Sequence, residues 1–226
     1  MGEIQFLRIG GKLMRLVERD YQILRELDRW RFCLSRHVRY IGGFGSQSAC
    51  DRRLRKLREA GLIDRKRIIY GVPSAYYLTE TGRKLLGLPQ KEDKIKLEQI
   101  THDIAVLDMV IYCMLKENVL LADILSEKQL HGLDGFATRK HRPDFVYREA
   151  GKKYCVEVEL SAKSKERFEE NLKQNFVGYD VQRWVVPDSQ VKIKKMLQQN
   201  LTTYPNITIL SLEEVESFVR NWKPES

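Results

Sequence analysis

Residues 46–62, SQSACDRRLRKLREAGL, are the stretch that best indicates the fold of the N-terminal part of the chain. Their apolar residues recur at helical spacing, and most of the positions between them are basic. The positions expected to pack inward are Ala49, Leu54, Leu57 and Ala60. The glycine at position 61 is typical of the residue that ends a helix. The stretch therefore predicts an amphipathic helix with a basic outer face.

Two further helices are predicted before this one. Residues 18–30, ERDYQILRELDRW, carry an apolar face at helical period. Ser35 is the expected N-cap of a second, short helix, which two glycines end at residues 42–43.

A hairpin and a closing helix are predicted after it. Residues 63–70, IDRKRIIY, and 75–78, AYYL, are typical of two short strands joined by a turn at Gly71–Pro73. Thr79 begins a short helix that ends at Gly87. Three helices followed by a basic hairpin predict a winged helix-turn-helix domain in residues 1–90.

The positive charge of the chain is concentrated in this domain. The whole chain has a formal net charge of +9. Residues 1–90 contain 19 Lys and Arg against 9 Asp and Glu, a net charge of +10, so the remainder has a net charge of −1. A basic excess on the third helix and the wing favours double-stranded DNA as the partner.

The candidate DNA contacts follow from this placement. Side chains in the first turns of the third helix are expected to meet base edges, and wing cations are expected to meet phosphates. Arg55 is able to serve either purpose, and Arg53 and Lys56 lie on the same basic helix. The candidates are Ser46, Gln47, Ser48, Arg52, Arg53, Arg55, Lys56, Arg65, Lys66 and Arg67.

Length and composition bound the remaining possibilities. A chain of 226 residues with 42% hydrophobic and 31% charged residues is expected to form two globular domains. The four cysteines form no CxxC pair, which argues against a zinc ribbon or a disulfide framework. Neither a secretory signal nor a membrane span is apparent, so we expect a cytoplasmic protein without a membrane partner.

Residues 91–226 predict a second, α/β domain, which makes the overall fold class α+β. A helix of about five turns is expected from Leu97. It is followed by a strand and turn within residues 120–127 and by a polar loop at 130–142. Residues 144–149 and 153–160 are expected to form a hairpin. A helix, a strand, a helix, a strand and a capped C-terminal helix complete the predicted order.

Acidic residues in this hairpin are the candidates for catalytic chemistry. Asp144 begins its first strand, and Glu157 and Glu159 lie two residues apart on the second, where both are expected on one face. A carboxylate in an apolar strand is costly unless a metal, a cation or backbone donors satisfy it. Lys163, four residues after Glu159, is an available cation.

This part of the chain resembles the PD-(D/E)XK nuclease superfamily, with Pro143-Asp144 matching the PD element. The resemblance implies a Mg²⁺ or Mn²⁺ site with Asp144 and Glu157 as ligands, Glu159 or His102 as an auxiliary ligand, and Lys163 orienting the attacking water. The chain departs from the superfamily in having Glu159 where the motif has a lysine.

Over residues 18–185 the order of short motifs resembles the replication-relaxation family of plasmid and integrative-element proteins. The motifs include ERDYQILREL, LTETGRKLLG, ITHDIAVLD, RPDFVY and VEVELSAKSKERFEENL. The resemblance implies a role in DNA processing by a mobile element.

Three hypotheses follow. The first is a DNA-binding accessory or regulatory protein of a plasmid or integrative element, without enzymatic activity, acting in replication, relaxation or transfer. The alternative is a Mg²⁺-dependent DNA endonuclease or nickase. In the third, the acidic residues and Lys163 form a structural ion-pair cluster, and the second domain forms a homodimer or holds a replication or relaxase protein.

Overall fold

The computed structural model describes residues 6–9, 12–67, 71, 73–90, 97–134 and 141–222. It has a mixed α+β fold, as the sequence predicts. The chain divides into two compact units, Met1–Ile104 and Ala105–Ser226. Among the described residues, no helix is both long enough and apolar enough to cross a membrane.

The first unit contains the predicted helices together with two small sheets. A hairpin that the sequence did not predict, β1 and β2, precedes the first helix. The strand β5 lies between β3 and β4 and is antiparallel to both. The bounds are β1 Phe6–Ile9, β2 Lys12–Arg15, α1 Glu18–Arg29, β3 Cys33–Leu34, α2 Ser35–Ile41, α3 Gln47–Glu59, β4 Ile63–Lys66, β5 Ala75–Leu78 and α4 Glu80–Leu85.

The helix boundaries in this unit follow the expected caps, with one correction. The hydroxyl oxygen of Ser46 accepts a hydrogen bond from the amide of Ala49 at 3.2 Å and so caps α3. Ser35, by contrast, is the first residue of α2, and Leu34 is its N-cap. Leu34 holds the cap position because it is extended backbone, paired with Ala75 as the last residue of β3. Residues 68–70 of the predicted first wing strand lie outside the described residues.

The second unit is built on a five-stranded sheet in the order β10-β9-β8-β7-β6. The pairs β6–β7 and β7–β8 are antiparallel, whereas β8–β9 and β9–β10 are parallel. The long helix α5 begins in the first unit and continues into the second. The bounds are α5 Ile100–Lys116, β6 Leu125–Ser126, α6 Glu127–Asp134, β7 Phe145–Glu149, β8 Lys152–Val158, α7 Lys165–Gly178, β9 Val181–Val186, α8 Val191–Asn200, β10 Ile207–Ser211 and α9 Leu212–Asn221.

One predicted loop is wrong in its first half. Residues 127–134 form α6, although residues 130–142 were predicted to be a loop. A capping pattern at Ser126 explains the helix, because the amide of Gln129 donates to the Ser126 hydroxyl oxygen at 3.4 Å and the amide of Ser126 donates to Oε1 of Gln129 at 3.0 Å. Residues 135–140 lie outside the described residues.

The predicted hairpin is confirmed and fixes the positions of the acidic residues. Ala150 and Gly151 in its turn both have positive φ angles, +47° and +79°, which suit a two-residue turn between antiparallel strands. β8 ends at Val158, so Glu159 lies one residue beyond the strand. The amide of Glu159 donates to the carbonyl of Val185 at 2.9 Å, which continues the pairing with β9.

Candidate functional site

The helix α3 separates an apolar face from a polar one. Cys50, Leu54 and Leu57 are buried against the rest of the first unit. Exposed side chains cover the other face, which we call the α3 surface. Its residues are Gln47, Ser48, Asp51, Arg52, Arg55 and Lys56, of which Gln47 is half-buried. The helix thus presents three cations to solvent.

An internal hydrogen bond orders the first turn of the α3 surface. Nε2 of Gln47 donates to Oδ1 of Asp51 at 2.8 Å. Because this pair is four residues apart on an exposed helix face, it orders the carboxylate of Asp51, which lies one turn before Arg55. The α3 surface therefore combines cations with one oriented carboxylate.

The hairpin β4–β5 carries the other predicted DNA contacts. Arg65, Lys66 and Arg67 are all exposed, whereas Ile63 at the start of β4 is buried. The carboxylate of Asp64 accepts hydrogen bonds from the amide of Arg65 at 2.8 Å and from the hydroxyl of Tyr77 at 3.2 Å. Asp64 is therefore satisfied within the hairpin, where the side chains of Arg65, Lys66 and Arg67 are exposed.

Arg53 differs from the other arginines of α3, because it points to α1. Nε of Arg53 donates to Oδ1 of Asp20 at 2.6 Å, and Nη2 donates to Oδ2 of Asp20 and to the carbonyl of Arg15. The Asp20 side chain is 0% exposed, and it also accepts from the amide of Val17 at 2.8 Å. We therefore propose that Arg53 positions α3 rather than contacting DNA.

In the second unit, three carboxylates gather near the ends of β7 and β8. We call Asp144, Glu157 and Glu159 the acidic cluster. Oδ2 of Asp144 accepts from the amide of Val158 at 2.7 Å. Nζ of Lys163, in the segment before α7, lies 2.6 Å from Oε2 of Glu159. The structure thus brings together all four residues that the sequence singled out here.

Two polar residues that the sequence did not single out complete this cluster. Nδ2 of Asn175 donates to Oε1 of Glu157 at 2.9 Å, and Nε2 of His141 lies 2.5 Å from the same oxygen. A sequence signal for Asn175 existed, because Asn171 and Asn175 are four residues apart on the buried face of α7. His141 had no such signal, since it lies in a predicted loop.

The charges of the acidic cluster act on each other. Burial raises the pKa of Glu159 above 4.5, Lys163 opposes this shift, and the charges of Glu157 and Asp144 add to it. Burial lowers the pKa of Lys163, but its contact with Glu159 and the neighbouring acids outweigh burial and leave the pKa above 10.5. Lys163 is therefore held as the charged counter-ion of the cluster.

The predicted metal ligands are not all in one unit. His102 belongs to the first unit, where its Nδ1 lies 3.6 Å from Oδ1 of Asp103. Asp144 and Glu157 belong to the second unit. Within the described parts of the chain, no three His, Cys, Asp or Glu side chains are grouped so as to hold a metal ion.

These features define a two-unit α+β protein with an exposed basic helix in one unit and a buried acidic cluster in the other. Residues 24–179 match the family model described as Replication-relaxation. The match covers more than half of the chain and includes both α3 and the acidic cluster, so the chain belongs to the replication-relaxation family. No curated protein and no solved structure matches the chain significantly.

Proposed function

We propose that this protein binds double-stranded DNA through its first unit and acts as an accessory or regulatory protein in the replication, relaxation or transfer of a plasmid or integrative element. Membership of the replication-relaxation family supports a role in replication or relaxation of mobile elements. The observation that carries DNA binding is the exposure of basic side chains on both α3 and the β4–β5 hairpin.

The order of elements in the first unit supports a winged helix-turn-helix domain. Three helices, α1, α2 and α3, are followed directly by the β4–β5 hairpin, and β3 completes the sheet beside β5. In such domains the third helix enters the major groove and the hairpin lies along the neighbouring backbone. The 13 residues of α3 are about 20 Å long, and an α-helix with its side chains is about 10–12 Å wide, which fits a major groove about 12 Å wide.

Within this geometry the α3 surface would read bases. Arg52 and Arg55 are exposed one turn apart, and a guanidinium donates two parallel hydrogen bonds to a guanine edge. Ser48 precedes Arg52 by one turn and Arg55 by two turns on the same face. Ser46 caps the helix through its hydroxyl, so its role would be to shape the first turn.

The hairpin would contribute affinity without sequence preference. Arg65, Lys66 and Arg67 are consecutive exposed cations, and contacts of this kind with phosphates release counter-ions from the DNA. Their loss should therefore weaken binding to all duplexes equally and reduce its salt dependence.

The second unit supports a PD-(D/E)XK-like scaffold. The order α5, β6, α6, β7, β8, α7, β9 includes a helix, an antiparallel hairpin and a parallel crossover, and the acidic cluster lies at the hairpin. We propose that this scaffold assembles on DNA and holds partner proteins there. The departure from the nuclease motif at Glu159 favours an accessory role over cleavage.

A selection from random duplexes tests sequence reading by the full chain. We expect an enriched site that binds at least about tenfold more tightly than the starting pool at one fixed salt concentration. Enrichment of no site, with binding that depends on salt alone, would remove sequence reading from the proposal and leave phosphate contact. Absence of binding would refute the proposed function.

A further inference from the structure

Each carboxylate of the acidic cluster already has a donor or a cation from the chain. Asp144 accepts from the backbone of Val158, Glu157 is contacted by His141 and Asn175, and Glu159 is paired with Lys163. We infer that the cluster is held by donors and a cation of the chain itself, with the ammonium group of Lys163 in the place of a metal ion, and that it takes no divalent metal ion.

The charge of Lys163 opposes a metal ion in the cluster. A magnesium ion in an oxygen site is bound by one or two carboxylates that point at it. Here Oε2 of Glu159 points at Nζ of Lys163 at 2.6 Å, and the charges of Glu157 and Asp144 also favour the charged lysine. A metal ion entering the cluster would compete with Lys163 for the same oxygens, and the displaced ammonium would remain beside it as a like charge.

The hydration shell of a divalent ion also opposes its binding in this cluster. Magnesium dehydrates reluctantly and usually keeps several of its water ligands when a protein binds it. The side chains of Glu157 and Glu159 are only 4% and 5% exposed. Protein groups take up the surroundings of Glu157 Oε1, because both His141 and Asn175 contact that oxygen. The contacts thus take up one oxygen of each carboxylate, and the low exposure of Glu157 and Glu159 disfavours a hydrated ion.

The contacts also give the cluster a structural role. His141 is fixed twice, because its ring contacts Glu157 and its amide donates to Oε1 of Gln174 on α7 at 3.2 Å. Lys163 lies directly before Ser164, which caps α7 through its hydroxyl oxygen. The ion network therefore fastens the segment before β7 and the start of α7 to the sheet. This inference does not depend on DNA binding by the first unit.

The test is a titration of the full chain with Mn²⁺, followed by calorimetry and by thermal unfolding. We expect the wild-type protein to show no saturable binding and no change in Tm. In the variant K163M the acids lose their counter-ion, so we expect Mn²⁺ to raise its Tm by about 2–4 °C or more. The matched control is K165M, since Lys165 pairs with Glu169 at 3.8 Å on an exposed part of α7.

The outcomes separate the inference from a nuclease site. Binding of one Mn²⁺ ion by the wild-type chain, lost in E157Q, would overturn the inference. A K163M protein that Mn²⁺ does not stabilise, or stabilises no more than K165M, would overturn the role given to Lys163. If K163M folds only with Mn²⁺ present, the inference is supported. If it does not fold at all, the wild-type titration decides the question.

Discussion

Replacing Arg53 by alanine should lower the free energy of opening of α3 by about 3 kcal/mol. The change leaves the carboxylate of Asp20 fully buried and removes all of its guanidinium contacts. Among the described residues, the amide of Val17 alone would still donate to it. Removing one partner of a buried pair costs about 3–5 kcal/mol, and the 21% exposure of Arg53 places this pair at the lower end of that range.

A double-mutant cycle and an exposed pair provide the controls. In D20A/R53A no buried charge remains without a partner, so we expect it to be less destabilised than the sum of the single variants by about 1 kcal/mol or more. Arg25 and Glu18 form an ion pair on the surface of α1, the helix that carries Asp20, and their side chains are 59% and 76% exposed. The variant R25A should therefore cost at most about 0.5 kcal/mol.

Hydrogen exchange followed by mass spectrometry is the assay, because it reports the opening of α3 separately from the second unit. Peptides covering Gln47–Glu59 give the free energy of opening for each variant. If R53A exchanges in α3 no faster than R25A, the pair with Asp20 does not position the helix, and the reasoning is refuted.

Three further outcomes are expected. Burial raises the pKa of the Cys50 thiol to about 12, so iodoacetamide should leave Cys50 unmodified at about pH 8 until the chain unfolds. Rapid labelling of Cys50 in the native protein would contradict its burial. Burial raises the pKa of Glu159, and Lys163 opposes this shift because it stabilises the charged carboxylate. The loss of unfolding free energy in K163M relative to the wild type should therefore be smallest below pH 4.5, where Glu159 is protonated, and should grow as the pH rises through the pKa of Glu159 in the folded state. A deficit independent of pH in equilibrium unfolding would contradict this. Asp51 adds an ordered carboxylate to the α3 surface, so D51N should increase the affinity for random duplexes by about twofold or more. The control E59Q removes an exposed negative charge two turns later and should have a smaller effect. Equal affinities of both variants would remove that role.

The helices of the first unit could be predicted well because their signals are local. The cap at Ser46, the helical period of residues 47–59 and Gly61 with its φ of +67° all lie within one stretch of sequence. The hairpin turn at Ala150–Gly151 was likewise readable from its glycine. Such elements are fixed by neighbouring residues, so their sequence and their structure agree.

Most of the features that the sequence did not predict depend on contacts between residues far apart in the chain. One of them, α6, has a local capping pattern that was overlooked. Arg53 meets Asp20 across 33 positions, so helical period alone grouped it with the exposed arginines. His141 meets Glu157 across 16 positions, from a segment that was read as a polar loop. The helix α6 was missed because residues 130–142 were interpreted as a polar loop, although Ser126 and Gln129 form a capping pattern.

The most direct test of DNA binding by the α3 surface is fluorescence anisotropy of a labelled duplex at several salt concentrations. Wild-type protein should bind with an affinity that falls as salt rises, and R52A/R55A should bind at least about tenfold more weakly. The control K165A/K173A removes two exposed lysines from α7 of the second unit and should bind like the wild type. If wild-type protein does not bind, or if both double variants lose affinity equally, the α3 surface is not the DNA-binding site.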